Sequence, residues 1–167
     1  AITTLEQIHV KRLVDISHLA RPLRKLLGES DHVHVRQACA SALAAIGHAE
    51  SAIEVAQMCH PEFESLCVKI EPEFVSWGND ALKSTWVQRI KTPDTYSTVL
   101  VRLASEGLTQ LRDTEANAAF ELMLGNVLAG YVNRHSAARA LGALDHKTAT
   151  ITAERYAKGN IADRLLA

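Results

Sequence analysis

The sequence predicts an all-α fold, an irregular stack of antiparallel helical hairpins in a single domain over residues 1–167. Three observations predict it. Only 4 prolines and 8 glycines punctuate the 167 residues, while alanine and leucine dominate, which favours helices joined by short turns. Aromatic residues make up 5%, too few for the usual core of a β-sandwich. A short segment also recurs near the two ends. RQACASALAAIGH at residues 36–48 matches RHSAARALGALDH at residues 134–146. Arg36, Ala40, Ala42, Leu43, Ala45 and His48 return as Arg134, Ala138, Ala140, Leu141, Ala143 and His146, at an offset of 98 residues. Recurrence of this kind is the sequence mark of a helical repeat array.

The elements follow in order. Leu5, Ile8, Leu13, Val14 and Ile16 are spaced for a first helix over residues 5–16. Ser17 is placed to cap a second, with Leu19, Leu23, Leu26 and Leu27 on its apolar face, Pro22 tolerated near its start, and Gly28 ending it. Ser30 or Asp31 caps the next, which carries Val33, Val35, Ala38, Ala42, Leu43 and Ile46 before Gly47 stops it. A shorter helix over 51–59 is halted by Pro61. Residues 62–77 read equally as a short strand, through the alternation Leu66, Val68, Ile70, or as two short helices divided at Pro72. Asn79 or Asp80 then caps a helix through Trp86, Val87 and Ile90. Pro93 or Asp94 opens another through Val99, Leu100, Leu103, Leu108 and Leu111. Thr114 and Glu115 begin a long one whose broad apolar face holds Ala118, Ala119, Leu122, Met123, Val127, Leu128 and Tyr131. Residues 136–144 are helical, and a final helix over 153–166 is kinked at Gly159.

Residues 17–47, SHLARPLRKLLGESDHVHVRQACASALAAIG, resemble a HEAT-type helical repeat. The resemblance rests on Pro22 in the first helix, Asp31 in the turn, Val35-Arg36 opening the second helix, Ala38 and Ala42-Leu43 packing it, and Ile46-Gly47 closing it. Residues 118–146 are a weaker copy, with Asn133-Arg134 in place of Val-Arg and Asp145 in place of Gly. The resemblance implies a HEAT-like α-solenoid in which Asp31 pairs with Arg36 and the second helices line a groove. It implies a non-enzymatic scaffold or adaptor for a protein partner. Gln37, Ser41, His135 and Arg139 are the candidate partner-binding residues, because they differ between the two copies while their neighbours do not. Trp77 and Trp86 are core anchors that could also serve an interface.

Bulk properties narrow the partners. A net charge of −1 provides no global field for phosphate backbones, so HEAT-like nucleic-acid binding is an alternative that charge does not favour. Three cysteines, Cys39, Cys59 and Cys67, are too few for a disulfide framework, and a reduced, cytoplasmic setting is expected. No apolar run reaches the roughly 20 residues that span a bilayer. The opening AITTLEQIHVKR lacks the layout of a signal peptide, and its first residue, Ala1, fits either a processed chain or a piece of a longer one.

No cofactor or metal is expected. His32-x-His34 and Cys59-His60 are the only tight histidine groupings, and side chains two apart on a helix diverge. Gly125 and Gly130 lack the Lys-Ser/Thr of a P-loop. One catalytic alternative has residues behind it. RHSAARALGALDHKTATITAERYAKG resembles the end of tyrosine recombinases, with Arg134, His135, His146 and Tyr156 as the site and Lys91 as its lysine. That resemblance implies DNA strand cleavage and joining, and requires a small sheet near residues 85–102.

Overall fold

A computed structural model describes residues 15–157, and every regular element among them is helical. Among the described residues nine α-helices are connected by short turns, several of them 3₁₀. The chain divides into two compact units, residues 1–82 and 83–167.

In the first unit α1 (Ala20–Glu29) pairs with α2 (Val33–Ile46), a short α3 (Ala52–Ala56) touches α1, and α4 (Glu64–Ser76) packs on α2. The core is made by Ala20, Leu23 and Leu27 of α1, Cys39, Ala40, Ala42 and Leu43 of α2, and Cys67, Ile70 and Phe74 of α4. Alanines on α2 let the neighbouring helix axes approach closely. In the second unit α5 (Lys83–Lys91) pairs with α6 (Thr98–Gln110), and α7 (Asn117–Gly125) pairs with α8 (Gly130–Leu144). First helix packs on first, α5 with α7, and second on second, α6 with α8; α9 (His146–Ala157) then covers α8.

Several boundaries differ from the sequence expectation, each for a local reason. The expected helix over 5–16 lies outside the described residues except for Asp15 and Ile16, which are not helical. Ser17 does not cap α1. Its amide and hydroxyl both donate to Asp15 Oδ1, at 2.9 and 2.6 Å, in a 3₁₀ turn that leads into the helix. Gly28 is helical, and α1 continues to Glu29. Residues 64–76 form one helix, neither a strand nor two pieces. Pro72 is exposed on its outer face, and Val68, whose carbonyl the missing N–H would have met, is 44% exposed, so water can serve that carbonyl. The true period is Leu66/Cys67, Ile70/Glu71, Phe74, all buried, and Val68 was the misleading member of the alternation.

Helix α6 starts later than Pro93, because Ser97 takes the cap by accepting from the Leu100 amide at 3.3 Å. The long apolar helix expected after Thr114 is two helices. Asn126 adopts an extended conformation and accepts from the Leu128 amide at 3.0 Å, ending one and turning the chain into the next. Leu122, Val127, Leu128 and Tyr131 are consequently exposed, and the face that is buried holds Ala119, Phe120, Met123 and Leu124. The last helix starts earlier than expected, at His146, since Asp145 accepts from the Thr148 amide at 3.0 Å and its hydroxyl at 2.8 Å. Those two bonds hold the Asp145 carboxyl below its usual range. The kink expected at Gly159 lies outside the described residues.

Helices α2, α4 and α6 end alike. At each, a residue in the left-handed region follows the helix, and the amide after it reaches back to close the last turn: His48 to Leu43, Asn79 to Phe74, Asp113 to Leu108. Gly47 and Gly78 occupy that position without strain, at φ of 78° and 61°. The third position is Arg112, at φ 54°. Arg112→Gly is therefore expected to raise stability by about 0.5–1 kcal/mol, the steric relief exceeding the added chain entropy. A urea midpoint that falls in this variant would show that the arginine side chain is worth more than the strain it causes.

Candidate binding grooves

The four residues singled out by their variation between copies all line grooves beside second helices. In the first unit, Gln37 and Ser41 of α2 face Ser65, Leu66 and Lys69 of α4 across a cavity of about 250 Å³, with His34 and Ala38 completing it. Ala38 and Ser41 form its α2 wall, and Leu66 is buried at its base. His34 Nδ1 donates to Gln37 Oε1 at 3.2 Å. Ser41 is 6% exposed, which corrects its expected surface position. Its hydroxyl has no hydrogen-bond partner among the described residues.

In the second unit, Arg139 of α8 lines a cavity of about 200 Å³ against α6, with Arg102, Ser105, Glu106 and Thr109 opposite. Arg102 and Glu106 are 3.8 Å apart along α6. A second cavity, about 400 Å³, lies between α8 and α9 and is lined by His135, Arg139, His146, Thr150 and Thr152 among others. His135 is exposed, and its ring lies 5.9 Å from that of Tyr131. Sequence reasoning missed Ser65 and Lys69, because it could not place residues 62–77 on a helix and so could not give them a face. It missed the residues of α6 for a related reason: β-branched Thr98, Val99 and Val101 blurred the helical face there.

The recurring arginines have a role that the family resemblance did not imply. Arg36 is not held by Asp31, which is exposed. Its Nε–H donates to the Leu27 carbonyl at 3.1 Å. Arg134 Nε–H donates to the Leu124 carbonyl at 2.8 Å. Each acceptor lies in the last turn of the preceding helix, where carbonyls lack partners within the helix. At Leu124 the reason is visible, since the Leu128 amide four residues on is taken by Asn126. Each arginine thus caps the helix before its own.

This role also bears on the recombinase residues. The Arg134 guanidinium carbon lies 5.7 Å from the centroid of the Tyr156 ring. Lys91 ends α5, and residues 83–91 and 98–110 are helical, so the sheet that reading requires is absent among the described residues. His135 and His146 share the α8–α9 cavity with Arg139.

Other candidates resolve simply. No three His, Cys, Asp or Glu side chains gather in a metal-binding arrangement among the described residues. All three cysteines are free and buried, and burial pushes the Cys39 thiol up, away from reactivity. Trp86 is fully buried, while Trp77 is half-buried against Phe74 at 5.1 Å between rings. No described helix is long and apolar enough to cross a membrane. Comparisons of the chain with protein-family models, curated proteins and solved structures find no match.

Proposed function

We propose that this chain is a non-enzymatic helical-repeat scaffold, HEAT-like in plan, that binds a protein partner through the polar grooves beside its second helices. The observation that carries the reading is the pairing of Arg36 with Leu27 and of Arg134 with Leu124. Two segments 98 residues apart each send an arginine back to a carbonyl in the last turn of the preceding helix, nine residues back in one and ten in the other. The spacing of helix ends supports it. Gly47, Gly78 and Arg112 follow one another at 31 and 34 residues, and Asp145, which ends α8, comes 33 later. Those steps together make the 98-residue offset, so the matched segments are three repeats apart. Local packing in the second unit, first helix on first and second on second, is that of stacked hairpins.

Such arrays present side chains of successive second helices along one face, where a polypeptide can run. Gln37 and Ser41 lie on a second helix of the first unit, and His135 and Arg139 on a second helix of the second unit. The test is capture of binding proteins by the wild type and by a Gln37→Ala, Ser41→Ala, His135→Ala, Arg139→Ala variant of equal thermal stability. Loss of a specific captured protein is the expected result. Capture of the same proteins at the same yield by both would exclude these grooves as the binding face.

A further inference from the structure

We propose that the turn joining α7 to α8, with the helix ends beside it, is the surface on which two copies of this chain pair. Five large apolar side chains are exposed there between residues 122 and 132. They are Leu122 of α7 (64% exposed), Val127 and Leu128 of the turn (73% and 79%), and Tyr131 and Val132 of the first turn of α8 (49% and 56%). The other exposed large hydrophobics among the described residues are Leu26, Val33, Ile53, Val68 and Ile151, one each on α1, α2, α3, α4 and α9. Single residues of that kind are ordinary on any protein surface, and a cluster is not.

The turn itself is built to show these side chains. Turn tips are ordinarily made of glycine, proline, asparagine, aspartate and serine. Here the polar residue, Asn126, is occupied by the backbone. Its side chain accepts from the Leu128 amide at 3.0 Å, and its carbonyl accepts from the Ala129 amide at 3.1 Å. Ala129 is buried, and Val127 and Leu128 are left on the outside. The patch is thus ordered before any partner arrives, which lowers the cost of binding to it.

Size and charge select the partner. At these exposures the five side chains present on the order of 500 Å², near the upper end of the roughly 300–600 Å² that the largest patch on a monomer reaches. A standard interface takes about 800 Å² from each partner, an apolar core within a polar rim, and the patch is of the right size for that core. Although 22% of the chain is charged, residues 116–133 carry one charge, Glu121. A nucleic-acid backbone needs a row of cations, and an anionic lipid surface needs lysine or arginine beside the apolar face; neither stands in this span. A charged protein face would lose its hydration here without gaining a counter-charge. A second copy brings an equally neutral, apolar surface by construction, and a two-fold axis closes the contact. The edges match too. Glu121 is exposed on the α7 side, and His135 is exposed on the α8 side with its ring 5.9 Å from that of Tyr131. A two-fold axis along the hairpin sets the α7 edge of each copy against the α8 edge of the other. The Glu121 carboxylate then meets an imidazole, which carries at least one N–H, at both ends of the contact.

The test is sedimentation equilibrium of the full chain from about 1 to 500 μM, beside Leu128→Glu and Ile53→Glu variants. The wild type is expected to show a reversible monomer–dimer equilibrium with a Kd on the order of 10 μM. Leu128→Glu should weaken it at least about a hundredfold, because each copy would bury an unpaired carboxylate at the centre of the contact. Ile53→Glu, at a similarly exposed apolar site in the other unit, should leave it unchanged. Both variants should keep the wild-type thermal midpoint at the lowest concentration, since both sites are exposed. A wild type that stays monomeric at the highest concentration, a dimer that survives Leu128→Glu or is lost in Ile53→Glu, or open-ended association would each overturn the pairing. So would binding of a monomeric wild type to phosphatidylcholine vesicles that Leu128→Glu abolishes, which would assign the patch to a lipid surface.

Discussion

Trp86→Ala is expected to lower stability by about 3–5 kcal/mol, and Gly107→Ala to lower it as well, although alanine is the better helix former. Trp86 on α5 is fully buried, and its six-membered ring lies directly against the backbone of Gly107 on α6. A Cβ at position 107 would sit 2.7 Å from Cη2 and Cζ3 of the indole and 2.9 Å from Cε3. Contacts that short do not persist, so the ring or the helix must move. An indole at 0% exposure has no solvent to move into. Overpacking of this kind costs about 1–3 kcal/mol, against roughly 1 kcal/mol gained in helix propensity. Gly107 is therefore set by the ring it accommodates. The two substitutions should be strongly coupled. In a Trp86→Leu background, where the ring is gone, Gly107→Ala should become neutral or stabilising. Urea denaturation of the four proteins of this cycle measures the coupling directly. Additive effects would mean that the close approach is not what holds glycine at 107. Since a domain of this size has only about 5–15 kcal/mol in total, Trp86→Ala should be close to unfolding at ordinary temperature.

This pair also shows what the sequence could and could not reveal. That Trp86 anchors a core followed from its place on an apolar helix face. That Gly107 belonged to it did not, because a glycine within an apolar helix carries no mark of the distant ring that requires it. The helical class was legible because it depends on composition and on period, which are properties of every window. Boundaries were legible where one residue both stops the helix and has no rival, as Gly47 does. They were lost where two neighbours compete, as Asp15 and Ser17 do, or Pro93 and Ser97. The strand alternative at 62–77 arose because Leu66, Val68 and Ile70 fit either period, and only burial of Cys67, Glu71 and Phe74 separates the two. Of the candidate groove, the α2 and α8 residues were legible through variation between two copies. Their partners on α4 and α6 were not, since no second copy of those segments was recognised for comparison.

Arg134→Ala is the other large expected effect, about 2–3 kcal/mol, with Arg36→Ala costing less. Both remove the cap from a carbonyl in the last turn of the preceding helix. They differ in surroundings. Arg134 is 6% exposed and lies beneath the Tyr156 ring, so its loss also leaves a buried gap and deprives α9 of a contact. Arg36 is half-buried, so its truncation opens a way for water toward the Leu27 carbonyl, although Leu27 itself is buried. Lysine should not rescue either variant. A lysine carries no N–H at the position of Nε, and its compact ammonium does not lie flat under an aromatic ring as a guanidinium does. Amide exchange separates capping from general destabilisation. Arg36→Ala should accelerate exchange first in residues 26–29 at the end of α1, and Arg134→Ala in residues 122–125 at the end of α7. Matched behaviour at these two places would mean that the two arginines do the same work in two copies of one hairpin. If exchange instead rises evenly across each unit, or if lysine restores the wild-type pattern, the arginines act as general packing charges. The likeness between the segments would then lose its structural basis, and the repeat reading would rest on helix spacing alone.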